Sequence, residues 1–305
     1  MPIVPKIMKQ GRLAPFYYLA PALLIMFIFI VYPTFNTLVL SFTNKSGTAS
    51  AATVCVAGQP CWGVFDDYRY AFTSPEMLIA LRNNALWLVL MVPATVAIGL
   101  IFALLADRVR YESLAKSIIF MPMAISFIGA GVIWRFVYYV NTSGGAQIGL
   151  LDAILVKLGF QPVAWLSDPR INNFALMIVG LWLWAGFCMT ILSAAVKGLP
   201  SEVLEAARVD GAGEWQVFWT IMLPMILPTI IVVTTTLVIN ILKIFDIVFV
   251  MTNGNFGTEV IANRMFQLIV TDVGKSSAIA VVLILLTIPV MIFNVRRFRA
   301  EEAAR

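Results

Sequence analysis

Ser201-Glu202-Val203-Leu204-Glu205-Ala206-Ala207-Arg208-Val209-Asp210-Gly211-Ala212-Gly213-Glu214 is a charged island between two apolar runs, residues 171–196 and 215–242. Neither run contains an Asp, Glu, Lys or Arg, and the same holds for residues 13–44, 83–106, 117–134 and 276–295. Each of the six is at least 18 residues long, and a helix needs about 20 mostly apolar residues to cross the hydrocarbon core. The runs are continuous rather than alternating, which argues against barrel strands. Residues 46–65 are also uncharged, but Ser, Thr, Ala, Gly and Pro fill them and they read as a loop. The reading is an all-α membrane protein with six transmembrane helices. Composition agrees: 61% of the residues are hydrophobic and 12% charged, against about 25% charged in a soluble domain.

Six crossings put both termini on one side. The segments of that side, 1–12, 107–116, 197–214 and 296–305, carry twelve Lys or Arg in 50 residues, against eight in 94 for 42–82, 135–170 and 259–275. The excess of basic residues places both termini, and the island, in the cytoplasm. The net charge of +5 is therefore a topology signal spread over short loops, which excludes a nucleic-acid patch. The basic start, Lys6, Lys9 and Arg12, precedes an apolar run too long for a signal-peptide core, so the first helix reads as retained.

The organisation that follows is a cytoplasmic N-terminus at 1–14, one transmembrane domain at 15–295 and a cytoplasmic C-terminus at 296–305. External loops fall near 43–80, 140–172 and 252–275, and the island belongs to a loop at 198–220. Helices are expected at about 15–42, 83–106, 117–139, 173–196, 221–251 and 278–293. A short helix at 150–158 and an amphipathic one at 259–270 sit in the external loops. Cys55 and Cys61 share the first external loop, where their spacing permits a disulfide without demanding one. Cys188 reads as a small apolar filler of its span.

Enzyme signatures are missing. The chain has no His, no Walker A loop, no HExxH and no GxSxG. The island itself reads as a two-turn helix, with Ser201 as N-cap, Glu202 in the first turn, Leu204, Ala206 and Ala207 on a small apolar face, and Asp210-Gly211 as the stop. Such a helix is too short to be stable alone in water. It is either an ordinary surface loop or a helix that docks into a partner's groove.

Inside the membrane, ionisable side chains are costly and point to function. Lys243 and Asp246 lie three residues apart, on one face of the expected fifth helix with Asn240. They form either a structural ion pair or a polar stripe lining a pathway. Trp182, Trp184 and Phe187 on the fourth helix are either packing residues or a surface for the C–H faces of a sugar. Arg135 reads as an interface anchor.

Glu205-Ala206-Ala207, then Asp210-Gly211, then Ile221 and Leu223-Pro224, resembles the EAA loop of binding-protein-dependent ABC importer permeases. Phe245-Asp246 and Thr252-Asn253-Gly254 are similar to the sugar-permease branch that includes the maltose permease, although Gly254-Asn255-Phe256 stands where that branch often reads Gly-Gly-Pro. The resemblance implies a type I ABC importer permease fold with a coupling helix between helices 4 and 5. It implies a second six-helix permease, two ABC ATPase subunits that bind ATP and Mg, an external sugar-binding protein, and no cofactor in this chain. The location implied is the bacterial inner membrane, with lipid around the helices. Glu205, Ala206, Ala207, Asp210 and Gly211 would contact an ATPase. By the same resemblance, Leu183, Trp184, Phe187, Leu237, Asn240 and Ile241 fall at sugar-binding positions, beside Trp182, Lys243 and Asp246. The cargo implied is an α-glucoside or another di- or oligosaccharide, with a monosaccharide, glycerol-phosphate or glucosylated osmolyte as alternatives. A secondary transporter driven by an ion gradient is the alternative from another class, and it would work without ATP.

Overall fold

The computed structural model describes residues 14–44, 61–62, 65–141 and 146–303. Among these, five helices are long and apolar enough to cross a membrane: Tyr18–Leu40, Pro75–Ala106, Asn172–Lys197, Glu214–Leu242 and Val273–Arg297. A sixth crossing is a broken pair, Glu112–Ala124 and Phe127–Val137, bent by 99°. The only strands among the described residues are Thr43–Asn44 and Cys61–Trp62, which pair antiparallel. Cys55 lies outside the described residues, and with it the suggested Cys55–Cys61 bridge.

Three of the prolines within spans, Pro33, Pro93 and Pro224, are accommodated in the same way, whereas Pro21, Pro228 and Pro289 lie inside plain α-helix. A proline has no N–H to give and its ring collides with the carbonyl four residues back. In the first, second and fifth spans a five-residue π-helical turn, Phe27–Val31, Trp87–Met91 and Phe218–Met222, ends two residues before Pro33, Pro93 and Pro224. The widened turn contains the carbonyl that the ring would strike, so the spans continue through the proline. Pro122 acts differently. It sits in the 3-10 turn Met121–Ala124, after which Ile125 and Ser126 are extended and the Ser126 hydroxyl caps a new helix by accepting from the Gly129 N–H at 3.0 Å. The third span is therefore two helices with a sharp corner, and not one helix over 117–139.

The second and fourth spans form the centre of the bundle. Gly99 lies against Cys188, and a Cβ on Gly99 would come within 2.4 Å of the Cys188 Cβ. Cys188 is a fully buried free thiol, filling space as its small size suggests. Gly186 lets the fourth span approach the backbone of Ile119 and Phe120, and Gly131 seats the helix Phe127–Val137 against Val250. Close backbone approach through small residues is the usual basis of helix association in lipid. The first span is exposed along its apolar length and touches the rest of the chain chiefly where Tyr32–Leu40 meets the sixth span.

Several boundaries differ from the sequence reading. The second span begins at Pro75, capped by the Ser74 hydroxyl, so Asn83 and Asn84 are interior residues of that helix and not its start. Helix Asp66–Thr73 occupies part of what reads as loop. The sixth helix extends over Val273–Ala303. The loop helices Leu150–Lys157 and Ile261–Leu268 fall where expected.

Candidate functional site

The charged island forms a nine-residue helix, Ser201–Val209, with no buried side chain. Its N-cap is Pro200, without a side-chain bond, so Ser201 is the first helical residue and not the cap. Its end is fully built. Gly211 has φ +87°, the Gly211 N–H donates to the Arg208 carbonyl at 3.1 Å, and the Ala212 N–H donates to the Ala207 carbonyl at 3.0 Å. This is a Schellman closure, which needs a residue at ease in the left-handed region. Arg208 then donates to Glu214 through Nε at 2.7 Å, tying the helix to the start of the fifth span. Glu205, Ala206, Asp210 and Gly211 are exposed and Ala207 is half-buried. Beneath the island, Lys116 meets Asp107 at 2.5 Å and Glu112 at 2.6 Å, and Lys197 also pairs with Glu112. This network braces the second, third and fourth spans where they reach the same side.

The second feature is a break in the fifth span. Its helix stops at Leu242, Lys243 and Phe245 leave helical geometry, and a new helix, Asp246–Met251, begins. Lys243 and Asp246 therefore flank a break and do not share a helical face, and no ion pair joins them among the described residues. The break walls a cavity of about 300 Å³, lined by Phe127, Trp184, Asn240 and the four residues Lys243 to Asp246. Trp184 is held between Phe127, with ring centroids 6.0 Å apart, and Phe187, at 5.5 Å edge-on. Asn240 donates back to the Thr236 carbonyl at 2.9 Å. The cavity thus combines aromatic surface with an amide, an ammonium and a carboxylate. Unwound backbone at membrane depth is tolerated where it lines a cavity.

The other sequence candidates are placed elsewhere. Leu183, Leu237 and Ile241 are buried in the core and do not line this cavity. Trp182 packs edge-on to Trp134 at 5.7 Å and borders a separate apolar hollow with Phe102, Ile118 and Pro122. Phe187 reaches the cavity only through Trp184. Arg135 donates to the Val250 carbonyl at 3.3 Å, bracing the short helix beyond the break. Phe127 and Ile244 carry no signal of a site in the sequence, and Phe245 enters there only through the Phe245-Asp246 resemblance, not as a lining residue. The one local cue beside Phe127 is Ser126, a capping residue after a proline-bearing turn.

Beyond the break, the return over 252–260 is held by buried polar groups. Thr252 and Thr258 hydroxyls meet at 2.6 Å, and Asn172 donates to the Phe256 carbonyl at 2.9 Å. Glu259 is buried and accepts from Asn263 at 2.6 Å. Burial pushes its carboxyl above the ordinary range, and the Asn263 bond opposes that. On the same side Asp67 is buried, and burial followed by the Asp272 carboxylate pushes it up to about 6.

Five apolar spans, a bent sixth and a cavity walled by a broken helix define a multi-pass membrane transport component. Residues 85–297 match the family described as binding-protein-dependent transport system inner membrane component. The chain belongs to this family: it is a permease subunit of an ABC importer, a transport component and not an enzyme, and it works with a substrate-binding protein. It is 53% identical over 290 residues to the osmoprotective compounds uptake permease protein GgtC of Synechocystis sp., covering 94% of this chain and 100% of that one. It is 43% identical over 295 residues to the alpha-glucoside transport system permease protein AglF of Rhizobium meliloti, covering 96% and 84%. In fold it is similar to a chain of a bacterial ABC transporter involved in alginate import, with a TM-score of 0.74 at 22% identity over 92% of this chain and 95% of that one.

Proposed function

We propose that this chain is one permease subunit of an ATP-driven importer for a small α-glucoside, with a glucosylated osmolyte as the leading candidate cargo. The observation that carries this reading is the overlap between two relatives aligned over nearly the whole chain, one named for osmoprotective compounds and the other for alpha-glucosides. A glucosylated osmolyte satisfies both names. The cavity supports the reading, since about 300 Å³ lies at the small end of small-molecule sites. Trp184 offers a face to sugar C–H groups, while Asn240 and Asp246 offer partners to hydroxyls. A second permease faces this one and completes the pathway.

Both termini and the Ser201–Val209 helix face the cytoplasm in this reading. Glu205, Ala206, Ala207, Asp210 and Gly211 dock on one of two ATPase subunits, which hold ATP and Mg and supply the hydrolysis. The rigid Schellman closure and the Arg208–Glu214 link pass the motion of the docked helix into the fifth span, and so toward the break. The test is ATPase stimulation of the reconstituted complex by its binding protein, loaded in turn with glucosylglycerol, trehalose, sucrose, maltose and glycerol 3-phosphate. Stimulation by α-glucosides and glucosylglycerol is expected. Stimulation by glycerol 3-phosphate alone, or uptake by this chain in liposomes without ATP, overturns the proposal.

A further inference from the structure

The break in the fifth span frees carbonyls that would otherwise accept from the next turn, and the bilayer interior offers no water to satisfy them. One side chain of the second span does so. Asn84 is 2% exposed, and its Nδ2 donates to the Leu242 carbonyl at 3.1 Å and the Ile241 carbonyl at 3.4 Å. Its Oδ1 accepts from the Ile261 N–H at 2.9 Å, the first residue of the helix Ile261–Leu268. One buried amide therefore ties the last turn before the break to the chain that returns from the far side of it. The neighbouring Asn83 is equally buried but differently used. Its Nδ2 donates to the Gly257 carbonyl at 2.7 Å and the Glu259 carbonyl at 2.8 Å, and it makes no bond to the break.

We propose that Asn84 is a positioning residue for substrate selection: its amide sets the backbone of the cavity wall at Leu242–Lys243 and ties that wall to the return at Ile261. The claim rests on the reading of the break cavity as the substrate site. Asn84 does not line the cavity, so it acts through the wall. The residues it fixes adjoin Asn240 and Lys243, which do line it. Without the amide, the Leu242 carbonyl loses its buried donor, although the Ile241 carbonyl keeps the Ile244 N–H at 3.1 Å, and the wall relaxes, displacing Lys243 to Asp246 relative to Trp184. A purely structural role would lower the amount of assembled complex and scale all substrates alike. A positioning role changes the discrimination between substrates.

The experiment measures ATP-driven uptake of two α-glucosides, both delivered by the cognate binding protein, into proteoliposomes holding the complete complex. Candidate probes are trehalose, sucrose and maltose. Asn84→Ala is expected to change the ratio of the two rates by about fivefold to tenfold, normalised to assembled complex, whereas Asn83→Ala leaves the ratio at the wild-type value. Should Asn84→Ala fail to assemble, Asn84→Asp keeps the volume and gives the same comparison. A wild-type ratio in whichever Asn84 variant assembles overturns the proposal. Trp184→Ala separates the two claims. If it shifts the ratio while Asn84 variants do not, the site stands and the positioning role falls. If it leaves the ratio unchanged too, the cavity is not the substrate site.

Discussion

Replacing Gly211 tests the island in isolation from everything around it. Gly211 holds φ +87°, and nothing lies within 4 Å of the position a Cβ would take. A side chain there meets no obstacle, so the penalty is wholly that of the left-handed backbone, roughly 1–2 kcal/mol for an ordinary L-residue. The helix it closes has nine residues and no buried side chain, so little else holds it formed. A loss of that size shifts the ratio of formed to frayed helix by roughly 5- to 30-fold. Gly211→Asn should cost less than Gly211→Ala, because Asn tolerates the conformation. Gly211→Pro should cost most, since it fixes φ near −65° and removes the N–H bonded to Arg208. The assay is ATPase stimulation by loaded binding protein in the reconstituted complex, with ATPase subunits counted after co-purification. Stimulation is expected to fall in the order Gly, Asn, Ala, Pro. Wild-type stimulation by Gly211→Pro would refute the docking argument.

Other consequences are open to measurement. Asp67 binds its proton more tightly folded, at about 6, than at its ordinary 3.8, so stability should fall as pH rises through that window and level off above it; Asp67→Asn should flatten this slope in thermal unfolding between about pH 4 and 7. Gly186→Ala would place a Cβ 2.5 Å from the Ile119 carbonyl oxygen and 2.7 Å from the Phe120 Cα. Because backbone must give way, a loss of about 1–3 kcal/mol is expected in detergent unfolding, and an unchanged midpoint would contradict the packing. With Cys55 and Cys61 replaced by Ser, an impermeant maleimide added outside cells should label Phe72→Cys and miss Val209→Cys, the reverse pattern inverting the topology.

The gross fold was legible because membrane spans are written in long uncharged runs, and no water-soluble alternative competes with them. The side proposed for the island rests on basic residues in short loops alone. Breaks were harder. Pro33, Pro93 and Pro224 sit in continuous spans behind π-helical turns, while Pro122 marks a corner, and the two outcomes look alike in sequence. What separates them is the neighbourhood: Ser126 caps a second helix after Pro122. The break at Lys243 has no proline or glycine to announce it. The donor that meets the Leu242 carbonyl there is Asn84, 158 residues away in sequence, and that pairing exists only once the second and fifth spans meet. Separation in sequence also hid Phe127, on a different helix, from the aromatic group of Trp184 and Phe187. The family resemblance put Leu183, Leu237 and Ile241 with Trp184 and Asn240 at sugar-binding positions, but a helix turns about 100° per residue, and these three are buried in the core.

In the proposed transport cycle, cargo passes through the cavity at the break. The structure of the complete complex with its glycoside bound tests this most directly. A sugar ring is expected against Trp184, with hydroxyls within hydrogen-bonding distance of Asn240 or Asp246. Sugar seated elsewhere in the pathway, with Trp184 and the 243–246 break out of contact, would contradict it.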